Sequence, residues 1–295
     1  MAEIREGYMP FRGMKTYYRI VGHTTQRFPA PLVLLHGGPG STHNYFEVLD
    51  PLADEGMQLI MYDQLGCGLS YVEGHPELWV LDTWMDELDA LRDHLRLERL
   101  HLLGQSFGGM LAIAYYIEYH PRGIASLVLS STLPSSKLWA KEQHILIQEL
   151  SEADQSAIRE AEAANDFTGE RVIEATAHFM ERFCSGPVTE NSPECLRRKG
   201  PGCRESYLTA WGPNEFTATG TLRDFDYTDR LGEIDVPALV LRGSRDLCTE
   251  TLASTLQKGI PGAESRVFEG ARHACCVDAR EAYMQTLLEW MECHR

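Results

Sequence analysis

RLHLLGQSFGGMLAIAYYIEYHP (residues 99–121) changes its hydrophobic rhythm at one serine. Before it, Leu100, Leu102 and Leu103 read as a short buried strand. After it, Met110, Ile113, Ala114 and Ile117 recur at helical spacing until Pro121 ends the pattern. Ser106 therefore sits at a strand-to-helix turn with almost no loop. Gly104 and Gly108 flank it as G-x-S-x-G, a spacing that lets the backbone bend sharply and a helix approach a strand closely. A turn of this kind strains the serine and exposes its hydroxyl at the sheet edge, over a helix N-terminus. The pentapeptide alone also suits a glycine-rich turn that merely packs a helix on a strand, so the rest of the chain must choose.

Working outward, five further runs read as strands: 31–37 (PLVLLHG), 57–63 (MQLIMYD), 125–131 (ASLVLSS), 237–243 (PALVLRG) and 264–270 (ESRVFEG). All but the last, and the 99–104 run with them, lack the alternation of a half-solvated sheet, which favours a parallel sheet covered on both faces. Helical patterns fit 82–95, 108–119, 249–258 and 279–293. Strand–helix alternation of this type predicts a doubly wound α/β fold. GYMPFRGMKTYYRIVG near the start reads as an antiparallel edge pair. The alternation breaks between about residues 134 and 225, too long a gap for an ordinary connection. That stretch carries charged helical patterns and then a Gly, Pro and Ser-rich passage, so it reads as an inserted helical cap. The expected organisation is a core of 1–133 and 226–295, with a cap of 134–225 before the last two strands.

The chain has 295 residues, 43% hydrophobic and 9% aromatic, enough for a sizeable core. Its formal charge of −16 disfavours nucleic acid or an anionic membrane as partner. The N-terminal MAEIREGYMPFRG has no apolar signal-type region, and a cytoplasmic protein is expected. The eight cysteines, with Cys184, Cys195 and Cys203 loosely grouped, form no CxxC pair and no zinc-type spacing with histidine. Free thiols are expected, a disulfide within that group being the minor alternative.

A serine hydroxyl needs a base to take its proton, and the base needs a third group to fix its tautomer. In a parallel sheet all three belong just past the C-terminal ends of strands. Asp246 follows the 237–243 strand, and His273 follows the 264–270 strand. The order Ser106, Asp246, His273 is that of hydrolases built on this architecture. Asp224, Asp226 and Asp229 lie before a strand, at the wrong end of the sheet. A serine at position 106 also excludes mechanisms that need a carboxylate nucleophile there.

Acyl transfer further requires donors aimed at the developing oxyanion. The amide of Phe107, directly after the serine, is one candidate. The loop LLHGGPGSTHNYF offers a second, the amide of Gly38, with Gly37 beside it as a substrate contact. HGGPG lacks the Lys-Ser/Thr of a phosphate-binding loop, and His36 is read as a brace for this loop. No metal or other cofactor is implied.

With HGGPG, YDQLGCGLS (62–70) and GQSFGG in view, the chain resembles the proline iminopeptidase branch of the α/β-hydrolases over nearly its whole length. The resemblance makes Asp63 a structural residue. WGPNEFTATGTLRDFD (211–226) is similar to the GPNEF segment of tricorn-interacting aminopeptidases and L-amino acid amidases. In that family the glutamate of GPNEF, here Glu215, binds the free α-amino group of the substrate. Two departures stand out. Many relatives carry a second amino-binding Glu after the triad aspartate, where this chain has Leu247. HACCVD also replaces a bulkier, aromatic-containing stretch after the histidine.

The expected function is a serine hydrolase that cleaves a small amide or peptide next to a free amino group, through an acyl-enzyme. An esterase or lactonase using the same triad is the alternative from within the fold, and a non-catalytic binding protein is the alternative from outside enzymology.

Overall fold

The computed structural model describes residues 2–198, 200 and 204–295; Cys203 lies outside them. Its centre is one eight-stranded sheet in the order β1-β2-β4-β3-β5-β6-β7-β8. The strands are β1 (Ile4–Phe11), β2 (Met14–Val21), β3 (Leu32–Leu35), β4 (Leu59–Tyr62), β5 (Leu100–Gln105), β6 (Ile124–Ser130), β7 (Ala238–Gly243) and β8 (Glu264–Phe268). The hairpin β1–β2 is antiparallel and joins β4 antiparallel. From β4 to β8 every pairing is parallel.

Both faces of the sheet are covered, as the unbroken apolar runs require. Val33 and Leu35 point into one core together with Leu102, Leu127 and Leu129. Leu32 and Leu34 point into the other with Leu103 and Val128. The first core lies under α1 (Leu81–Leu95), α2 (Phe107–Tyr119) and α8 (Glu250–Gly259). The second lies under α10 (Arg280–Cys293) and an eleven-residue 3₁₀ helix, His43–Ala53. Helix α2 is apolar on all sides because every residue from Phe107 to Ile117 is buried. It ends at His120, in the left-handed region just before Pro121.

Between β6 and β7 the described chain forms α3 (Ser136–Ile147), α4 (Glu152–Ala164), α5 (Glu170–Phe183), α6 (Glu194–Arg197) and α7 (Arg204–Ala210). The helical stretch read over 139–165 is divided between α3 and α4, the chain turning at 148–151. Ser151 then caps α4 by accepting from the amide of Asp154. Phe179, Phe183 and Trp211 from this insertion share the first core with α2, so the insertion is packed down over the C-terminal ends of the central strands. Cys184 and Cys195 are free thiols. Among the described residues no helix is long and apolar enough to cross a membrane.

Candidate active site

Ser106 connects β5 directly to α2 at φ 55° and ψ −122°, a conformation that costs a non-glycine residue energy and must be held by its surroundings. The hold is visible in two bonds. The Ser106 amide donates to the Ser130 carbonyl at 3.0 Å, and Thr132 Oγ1 donates to the Ser106 carbonyl at 2.7 Å. The flanking glycines are required by contact. A Cβ on Gly104 would lie 2.2 Å from the Gly108 carbonyl oxygen, and one on Gly108 would lie 1.9 Å from that of Leu35. Backbone thus packs on backbone at this turn. The Ser106 side chain faces a pocket of about 430 Å³.

Asp246 and His273 follow the ends of β7 and β8 and are joined by a 2.7 Å bond from His273 Nδ1 to Asp246 Oδ1. The carboxylate is buried and fully engaged. Its Oδ1 also accepts from the Cys248 amide at 2.8 Å, and its Oδ2 accepts from the Gly243 amide at 3.0 Å and Ser131 Oγ at 2.6 Å. His273 lines the pocket with Ser106; the Ser106 hydroxyl makes no hydrogen bond among the described residues.

The loop bearing His273 is sewn to the end of α5. The His273 amide donates to the Phe183 carbonyl, and the Ala274 amide to that of Cys184, both at 3.0 Å. Arg272 Nη1 donates to the Glu181 carbonyl at 3.1 Å, while Nε and Nη2 clasp both oxygens of Asp278. Gln105, beside the serine, adds a bond from Nε2 to the His273 carbonyl at 3.3 Å.

Gly38 lines the pocket at φ 122°, in the region that favours glycine. Its amide and that of Phe107 have no acceptor among the described residues, as groups awaiting an oxyanion would be. Gly37 also lines the pocket, and its amide donates to Tyr45 Oη at 2.8 Å. His36 braces the loop. Its Nε2 accepts from the Gln64 amide at 3.0 Å and its Nδ1 contacts the Gly37 carbonyl at 2.8 Å. Burial lowers its pKa to about 4, against the pull of Asp63, so the ring is neutral, with its proton on Nδ1. Asp63 braces the other end, accepting from the His43 amide, His43 Nδ1 and the Leu69 amide. Burial disfavours charge on His43, but its bond to Asp63 and the Glu47 carboxylate 3.4 Å from its Nε2 outweigh that and raise it to about 9.

Glu215 faces both the large pocket and a narrow apolar recess beside it, and Ser106 lines the two as well. Trp139 Nε1 holds the Glu215 carbonyl at 2.8 Å, and Tyr207 Oη donates to Glu215 Oε1 at 2.8 Å. Burial raises the Glu215 pKa, the Tyr207 bond and His273 opposing it. The recess is walled by Phe107, Met110, Leu133, Trp139 and Trp211. Leu247, where many relatives of the resembled family carry a second glutamate, is buried under α3, its carbonyl accepting from Gln143 Nε2. Tyr207, Ser131 and Gln105 belong to this constellation without having been legible as such. Tyr207 stands eight residues before Glu215, and that spacing alone carries no chemistry.

Comparison with known proteins agrees with this architecture. The family model for the alpha/beta hydrolase fold matches residues 30–279. A proline iminopeptidase of Clostridioides difficile (strain 630) is 55% identical, with 98% of each chain covered. One of Lactobacillus helveticus (strain DPC 4571) is 51% identical over 99% of each. The crystal structure of the proline iminopeptidase of Mycobacterium smegmatis superposes with a TM-score of 0.87 at 30% identity, covering 98% of both chains.

Proposed function

This chain belongs to the proline iminopeptidase family of α/β-hydrolases, and from that membership we propose the roles of its site residues. The chain is a serine hydrolase of the aminopeptidase type, and its substrate is a short peptide or amide with N-terminal proline. Ser106 Oγ attacks the proline carbonyl while His273 Nε2 takes its proton, and Asp246 keeps the imidazole in the productive tautomer. The oxyanion that forms accepts from the amides of Gly38 and Phe107. Collapse expels the amine, which receives the proton from His273, and leaves prolyl-Ser106. Water, deprotonated by the same imidazole, then attacks the ester, and proline leaves as Ser106 recovers its proton. In this reading the insertion over 134–225 is the lid that builds the substrate pocket.

The observation that carries this reading is Glu215, a carboxylate in both cavities that meet at Ser106. A partly dehydrated carboxylate there pairs with an ammonium far better than water does. The adjoining recess is apolar and narrow, with about 10 Å³ against about 430 Å³ in the main pocket, so an apolar ring enters it only if its walls part.

The test compares prolinamide with N-acetylprolinamide and with simple acyl esters. Wild type should prefer the free imino group, and Glu215→Gln should lose about 30- to 1,000-fold in kcat/KM on that substrate only. Preference for neutral acyl substrates, with Glu215→Gln treating both kinds alike, would replace the aminopeptidase by an esterase.

A further inference from the structure

We propose that the 430 Å³ pocket is a subsite for an apolar residue immediately after the scissile bond, with Val188, Leu196 and Val277 as its specificity-determining contacts. The proposal rests on the aminopeptidase reading and adds to it the chemistry of the departing peptide.

Which cavity takes which half of the substrate follows from proton transfer. The departing amine must receive its proton from His273, so it has to leave on the side where that imidazole is exposed. His273 lines the large pocket and is not part of the apolar recess, whereas Ser106, Gly38 and Glu215 line both. The acyl residue therefore lies on the recess side of Ser106, its amino group under Glu215, and the leaving residue extends into the large pocket on the His273 side.

Among the described residues that pocket is poor in usable charge: its ionic lining side chains, the triad imidazole apart, are Glu215, Arg272 and Asp278. Glu215 serves the amino group. Arg272 is already paired: its Nε and Nη2 meet the two Asp278 oxygens at 2.9–3.0 Å, which balances its charge, and Nη1 donates to the Glu181 carbonyl. A charged leaving residue would give up water and find no free counter-charge. Apolar surface is supplied instead. Val277 contributes from α9 (Cys275–Asp278), Leu196 from α6, and Val188 from the 185–193 segment. Val188 is 58% exposed, an apolar side chain at a pocket mouth, which a ligand's side chain would cover.

The experiment measures kcat/KM for Pro-Leu-NH2, Pro-Phe-NH2, Pro-Gly-NH2 and Pro-Asp-NH2, the amides removing any contribution from a terminal carboxylate. Burying most of one aliphatic or aromatic side chain predicts that wild type favours Leu and Phe over Gly by roughly 10- to 30-fold, with Asp below Gly. Val188→Ser and Leu196→Ser should each shrink the Leu-to-Gly ratio, to about threefold or less when combined. The ratio is read within one preparation, so partial loss of folded enzyme does not imitate the effect, and Val188→Ser alters an exposed position that the fold tolerates. Four amides cleaved within about threefold of one another by wild type, or a ratio unmoved in both variants, would overturn the subsite while leaving the aminopeptidase intact. Failure to cleave any of them, with prolinamide also inert, would remove the aminopeptidase reading and the subsite with it.

Discussion

The phenol of Tyr207 donates to the carboxylate of Glu215 across 2.8 Å, in surroundings where that carboxylate's charge is costly. Burial pushes the Glu215 pKa up and the phenol pulls it back, so the bond helps keep the group ionised.

The first expectation follows from that balance. As pH falls through the raised pKa of Glu215, the carboxyl becomes neutral and ceases to attract an ammonium, so KM for free-imino substrates rises on the acid side. Tyr207→Phe removes a stabiliser of the charged form and should move that rise to higher pH, with a KM penalty of about tenfold. Glu215→Gln should flatten it. A KM–pH profile identical in all three proteins would refute the pairing.

Ser106→Ala and His273→Ala should each cost about 10⁴-fold or more in kcat with the fold intact, and Asp246→Asn about 10⁴-fold by allowing the wrong tautomer. Ser131→Ala, which removes one of the donors on Asp246, should cost less, on the order of tenfold. Circular dichroism checks the folds, and labelling by a fluorophosphonate probe should vanish in Ser106→Ala and fall sharply in His273→Ala. Labelling retained in Ser106→Ala would move the nucleophile elsewhere.

Glu87 links stability to pH in the alkaline direction. It is fully buried, bonded to Thr16 Oγ1 and the Leu65 amide, with no cation beside it, and burial raises its pKa to about 8. A carboxyl with a raised folded pKa favours the protonated fold. Its stabilising contribution is complete below about pH 4.5 and is lost as pH rises through about 8. Glu87→Gln keeps the shape and an oxygen to accept from Thr16 Oγ1 and the Leu65 amide, so it should raise the melting temperature by several degrees at pH 9 and change little at pH 5. Equal shifts at both pH values would contradict the linkage.

Gly108→Ala should abolish soluble expression, because its Cβ would sit 1.9 Å from a main-chain oxygen that cannot move without shifting β3. Recovery of well-folded, active protein from that substitution would mean the turn is looser than its geometry.

The sheet was legible because its strands are apolar without alternation, and α5 because ERVIEATAHFMERF carries one unbroken amphipathic stripe. The 3₁₀ helix at 43–53 went unread because Pro51 lies within it, and a proline there reads in sequence as a helix breaker. Strand β8 had a weak pattern for a different reason: it is the sheet edge, and most of its side chains meet water.

At the site, Ser106 and Asp246 follow strands whose apolar runs are visible in the sequence, and His273 follows the weaker run of β8. Tyr207 and Ser131 could not be picked out from the sequence. Their roles come from the partners they meet, a carboxylate eight residues on and another 115 residues on, and no local spacing encodes such meetings.

The seam between α5 and the His273 loop is made at Phe183 and Cys184 by main-chain groups on both sides. Such bonds are indifferent to side-chain identity. Residues of the insertion that face the substrate are therefore free to be exchanged without loosening the imidazole, provided the path of the chain through 183–184 is kept. On the proposed function, substrate range and proton transfer then rest on separable parts of the same contact, which makes the insertion a replaceable fitting on a fixed chemical bench.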